Sequence, residues 1–99
     1  MLMEKEPPHP GIILQREFIE PNGIAPHRLA KDLGWKYEDL EQFINGEINL
    51  SIKSAFDLAE ILDMDPGFWL KLQTDWREWH ENQLINSNLE NENTQQDSD

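Results

Sequence analysis

Pro26-His27-Arg28-Leu29-Ala30-Lys31-Asp32-Leu33-Gly34-Trp35-Lys36-Tyr37-Glu38-Asp39-Leu40-Glu41-Gln42-Phe43-Ile44 places two short helical stripes on either side of one glycine. Leu29, Ala30 and Leu33 recur at the spacing of one buried helix face, and Leu40, Phe43 and Ile44 return a second face to the first. Ala30 is small where two helices cross closely, and Gly34 suits a tight turn that needs a positive φ. This is the core pattern of a helix-turn-helix, a scaffold for reading nucleic acid. Its outward positions disagree: residues 36–47 set Lys36 against Glu38, Asp39, Glu41 and Glu47.

Working outward, Pro10 suits a first helical position, and Ile12, Ile13, Leu14, Phe18 and Ile19 form an inward face up to a stop at Pro21-Asn22-Gly23. Pro26 opens the second helix, and a third is expected from about Lys36 to Asn45. Ser51 is a good N-cap for a fourth, with Ala55, Leu58, Ala59 and Leu62 at i, i+3, i+4 and i+7. Asp65-Pro66 starts a fifth, which carries Phe68, Trp69, Leu72, Trp76 and Trp79. The expected fold is therefore all-α, with one domain over residues 9–81 and an acidic polar tail over 82–99. That tail lacks apolar periodicity apart from Leu84, Ile85 and Leu89, which would add to a dimer seam if the fifth helix continues.

Charge bears on the partner. The 99 residues carry −12, and residues 9–81 alone hold 14 acids against 7 bases, so trimming the ends leaves the body acidic. Affinity for DNA comes largely from lysine and arginine displacing counterions, which sets this composition against a polyanion and in favour of a basic protein partner. With no cysteine the fold needs no disulfide or thiolate metal site. His9, His27 and His80 show no metal-site spacing, so no metal or cofactor is expected. His9 before Pro10 reads as a helix-start residue, and His27 as an exposed side chain near phosphate. No nucleophile elbow or phosphate-binding glycine loop is present, and catalysis is not expected. Neither a signal peptide nor an apolar run of membrane-spanning length appears, which points to the cytoplasm.

His9-Pro10-Gly11-Ile12-Ile13-Leu14, Glu20-Pro21, Arg28-Leu29-Ala30-Lys31, Gly46 and Phe68-Trp69-Leu70-Lys71-Leu72-Gln73 together resemble the HigA antitoxins, also called virulence-associated protein I or addiction-module antidotes, in the Cro and phage-repressor superfamily. The resemblance covers about 70 residues, and its two ends are more specific than the helix-turn-helix between them. It implies a five-helix, lambda-repressor-like homodimer whose C-terminal helix dimerises. It further implies binding of a messenger-RNA-cleaving toxin of the RelE/HigB type and repression of the chain's own operon through double-stranded operator DNA. On that reading Lys36, Tyr37, Glu38 and Gln42 face base edges, while Arg28, Lys31, Asn49, Ser51 and Lys53 lie near phosphates. Trp69, Leu72, Trp76 and Trp79 would form the dimer interface, although Trp69 and Leu72 also suit the chain's own core. Relatives often carry glutamine, arginine and asparagine early in the reading helix, where this chain has Tyr37, Glu38, Asp39 and Glu41. The departure leaves a second reading open, an acidic protein-binding module that masks a basic partner without specific DNA binding.

Overall fold

Thirteen residues, 10–22, form the first helix, α1, in three consecutive pieces: an α-helical start Pro10–Ile13, a π-helical turn Leu14–Ile19 and a closing piece Glu20–Asn22. The computed structural model describes residues 6–98, with side chains to residue 85. The wide turn has a cause in the sequence. Pro21 has no N–H to donate, and its ring needs room at the carbonyl four residues back, so widening the preceding turn lets the helix continue through it. The expected stop therefore falls at Gly23, past the proline, where φ is 62° and the Ile24 N–H reaches back to the Ile19 carbonyl at 3.0 Å.

The remaining helices begin close to where their caps predict. They are α2, Pro26–Leu33; α3, Tyr37–Ile44; α4, Ile52–Leu62; and α5, Pro66–Ser98. The Ser51 hydroxyl accepts from the Ser54 N–H at 3.0 Å, and the Asp65 carboxylate from the Gly67 N–H at 3.0 Å. At the end of α4 the turn is made by Asp63 with φ 57°, the one non-glycine among the described residues in the left-handed region.

These helices enclose a core of Leu14, Ile19, Leu29, Ala30, Leu33, Leu40, Phe43, Leu50, Ala55, Leu58, Ala59 and Trp69. Beside this core, α1 passes close against the end of α3. A Cβ on Gly11 would lie 1.6 Å from the Phe43 carbonyl oxygen, so only glycine lets the two backbones meet there. Gln73 supplies a buried polar tie: its Oε1 accepts from the Leu50 N–H at 2.7 Å and fastens the segment after α3 to α5.

The tryptophan helix differs from the expectation. Trp69 is 0% exposed and closes the core of the single chain, so it has no surface to offer a second copy. Leu72 is half-buried against that core. Trp76 and Trp79 are also half-buried. For Trp76 the reason is the segment ahead of α1, which lies along α5: the His9 ring meets Trp76 edge-on at 5.0 Å, and Glu6 reaches the His80 Nε2 at 2.8 Å, while the Trp79 ring meets the His80 ring edge-on at 5.0 Å. The expected boundary at residue 82 coincides with no break in the backbone, because α5 runs through it. Leu84 and Ile85 stand exposed on α5; the side chain of Leu89, and Asp99 at the end of the tail, lie outside the described residues.

Gly11→Ala tests the α1–α3 crossing. At an open helical site the change stabilises by about 0.5–1 kcal/mol. Here it is expected to cost about 3 kcal/mol, a fall in Tm of the order of 10–20 °C in a thermal melt. An unchanged or raised Tm would show that the helices separate freely.

Candidate nucleic-acid interface

Between α2 and α3 the chain turns in three residues. Gly34 takes φ 76°, its N–H donates to the Lys31 carbonyl at 3.1 Å, and the Trp35 N–H donates to the Ala30 carbonyl at 2.9 Å. These bonds fix the angle at which α3 leaves, and Trp35 holds it by meeting Phe43 edge-on at 5.8 Å. At the start of α3, Tyr37 is stacked on by His27 from α2, with ring centroids 3.7 Å apart and planes 10° from parallel. The stack ties the two helix starts together. Sequence reading placed His27 near phosphate but gave no sign that it holds Tyr37.

Leu40 and Phe43 bury one side of α3 and leave Glu38, Asp39, Glu41 and Gln42 exposed. Of the residues expected at base edges, Lys36, Glu38 and Gln42 are therefore open to solvent and Tyr37 is half-buried under His27. Part of the acidity has a local cause. Lys36, the N-cap, makes no side-chain capping bond, and Glu38 and Asp39 sit in the first turn, where a negative charge offsets the helix dipole by about 0.3–1 kcal/mol. No such role accounts for Glu41 or Glu47.

The residues expected near phosphates divide into two groups. On α2, Arg28 makes a loose pair with Asp32 at 3.5 Å and keeps 75% of its side chain exposed, while Lys31 is exposed and in no ion pair among the described residues. The second group follows α3: Asn49 accepts weakly from Gln73 at 3.4 Å, Ser51 caps α4, and Lys53 pairs with Asp57 at 2.9 Å. Exposed i,i+4 pairs such as these are worth well under about 1 kcal/mol, so the cations remain available to another anion.

His9 underlies this arrangement. Its Nδ1 accepts from the Gly11 N–H at 2.9 Å, which requires an unprotonated Nδ1 and bears out its reading as a helix-start residue. The residue is buried, with a relative exposure of 6%, and its ring meets Phe43 at 5.6 Å directly beneath α3. Burial holds its pKa below the ordinary 6.5; the Ile48 carbonyl pulls the other way, and His80 adds to the depression. The sequence signal for this role was the His9-Pro10 step itself, but not the contact with Phe43.

Among the described residues no helix is long and apolar enough to cross a membrane. No family model matches the chain. It is 34% identical over 73 residues to an uncharacterized HTH-type transcriptional regulator of Haemophilus influenzae, covering 74% of this chain and 68% of the relative. To the antitoxin HigA-1 of Vibrio cholerae it is 36% identical over 70 residues, covering 71% of this chain and 66% of that one, just under two thirds. Among solved structures, the Pseudomonas aeruginosa antitoxin HigA with the higBA promoter superposes with a TM-score of 0.78 at 27% identity, covering 87% of this chain and 94% of that one.

The depressed His9 pKa sets a direction for pH dependence. Unfolded, the imidazole takes up a proton near 6.5; folded, it does so only at lower pH, so stability is complete above about 6.5 and falls as pH drops through that value toward the folded pKa. His9 followed by NMR is expected to titrate below 6.5, and Tm to fall between pH 7.5 and 5.5. A His9→Asn variant, which keeps an acceptor at the cap, should lose that step; an equal fall in the variant would assign it to other groups.

Proposed function

Since the chain belongs to the HigA-type family of helix-turn-helix antitoxins and regulators, whose members are not enzymes, we propose that it binds operator DNA as a homodimer, represses its own operon and neutralises a messenger-RNA-cleaving toxin of the RelE/HigB type in the cytoplasm. The observation that carries this reading is an exposed α3 held at a fixed angle by the Gly34 turn and by the His27–Tyr37 stack. In such a unit the second helix enters the major groove with its first residues toward base edges. Gln42 then pairs with adenine and Glu38 accepts from cytosine N4, while nearby cations offset the repulsion between the acids of α3 and the phosphates. Tyr37, braced by His27, keeps one orientation at the groove edge. Lys36, expected at a base edge, is assigned instead to the phosphates on either side, which it faces together with Arg28, Lys31, Asn49 and Ser51. A two-fold protein calls for a near-palindromic site with half-sites about one turn apart, roughly 34 Å.

The acidic face of α3 favours a second reading, in which Glu38, Asp39 and Glu41 contact a basic toxin directly and DNA is not bound. Growth rescue from a co-expressed toxin separates the two: charge-reversed variants at these three positions lose rescue if α3 is the toxin contact and keep it if α3 is reserved for DNA.

A gel shift of the purified protein on its own upstream DNA tests the leading reading. Three cations per protomer, six per dimer, predict an affinity that falls about 10³-fold between 50 and 200 mM salt. Lys31→Glu with Lys36→Glu should flatten that slope and weaken binding to all sequences alike. Failure to shift even at low salt would remove DNA binding and leave the protein-binding module.

A further inference from the structure

The fold leaves a cavity of about 180 Å³ between α3 and the first turn of α4. Trp35, Phe43 and Ile48 make its apolar walls, and Asp39, Asn49 and Ser54 its polar edge. Trp35 is half-buried and held at 88° to Phe43, so the indole keeps one orientation beside the cavity. The polar edge offers acceptors with capacity to spare. The exposed Asp39 carboxylate has no cationic partner among the described residues. The Ser54 hydroxyl is in no hydrogen bond among them, since the bond at this residue is made by its backbone N–H. The Asn49 Oδ1 accepts one weak bond from Gln73 at 3.4 Å and keeps a second lone pair. No lysine, arginine or histidine lines the cavity to balance them.

Size and charge together define the occupant. An apolar cavity of about 150 Å³ holds a benzene, and drug-sized ligands take roughly 300 Å³ or more, so this one suits a group of about eight non-hydrogen atoms. Acceptors without a balancing cation call for a donor-rich cation. An indole of fixed orientation close to a carboxylate favours a planar one, because a guanidinium stacks on an aromatic face while its N–H fork meets the two carboxylate oxygens. We propose that the cavity binds a guanidinium group on a short aliphatic stem, with the head between Trp35 and Asp39 and the stem along Ile48 and Phe43. A small free guanidine and an arginine side chain of another protein carry the same chemistry. The site needs no DNA, so it goes beyond the operator reading and does not depend on it: a failed gel shift leaves this site standing, and an empty cavity leaves the operator reading standing.

Titration of the ¹⁵N-labelled full chain with n-butylguanidinium, followed by NMR without DNA, tests the site. So small a ligand in a half-open cavity is expected to saturate at about millimolar concentration, with shifts centred on the Trp35 indole N–H and the Asn49 and Ser54 amides. n-Butylurea, which has the same shape without the charge, should bind about tenfold more weakly or worse. Asp39→Asn should weaken n-butylguanidinium by a similar factor with an unchanged helical circular dichroism spectrum. Glu41→Gln, which removes the same charge from α3 outside the cavity, should leave it within about twofold. Shifts that fail to saturate or that spread over the acidic surface overturn the proposal, as does n-butylurea binding equally well. An equal loss in Glu41→Gln overturns it too, because attraction to the helix as a whole then accounts for the binding. Once the site is occupied as expected, N-acetyl-Gly-Arg-Gly-amide separates the two sources: tighter binding than n-butylguanidinium assigns the site to an arginine of a protein partner, and weaker binding to a free guanidine.

Discussion

The passage of the α1 backbone against the last carbonyls of α3 is the contact on which the rest of the molecule depends. Gly11 leaves no room for a side chain at the Phe43 carbonyl oxygen, and two residues earlier His9 caps α1 while its ring supports the Phe43 side chain from below. The same His9 ring leans on Trp76, so α1, α3 and α5 are registered by three consecutive residues, His9, Pro10 and Gly11. A shift of α1 would therefore move the exposed face of α3 and uncover the tryptophan helix together. The π-helical turn that accommodates Pro21 lies beyond this crossing and leaves it undisturbed.

Around that crossing the reading helix is held at both ends by different means. Its start is set by the Gly34 turn and the His27–Tyr37 stack; its end is set by Gly11, and the segment that follows is tied to α5 by the Gln73 bond to the Leu50 N–H. A rigid helix of this kind suits recognition by fixed side chains, since little ordering remains to be paid on binding. The acids on it act in two ways. Glu38 and Asp39 favour the helix itself through its dipole, and on the proposed operator reading they also repel phosphates, which leaves affinity more dependent on the few cations beside them.

Much of this was legible before any coordinates. The helix starts at Pro10, Pro26 and Ser51 follow from capping chemistry, which acts over three or four residues and is therefore local. The burial of Leu29, Ala30, Leu33, Leu40 and Phe43 follows from periodicity, since a helix face is fixed by spacing alone. The reading helix could be placed for the same reason. Less legible was whether its side chains were free: Tyr37 is half-covered by His27, and Ser51 is engaged as a cap, both through contacts that composition does not reveal.

The sequence by itself thus determined the elements, the turn between α2 and α3, and the family, because each rests on residues close together in the chain or on a pattern that survives without contacts. Which apolar surface is left over was decided only by the tertiary structure. Five aromatic and aliphatic positions on the fifth helix read as surplus until the N-terminal segment folded along α5 and Trp69 closed the core, while Ile52 and Phe56, unremarkable in the sequence, were left bare on α4. Burial is a property of what lies opposite a side chain, and what lies opposite is set by how distant segments pack rather than by the residues beside it.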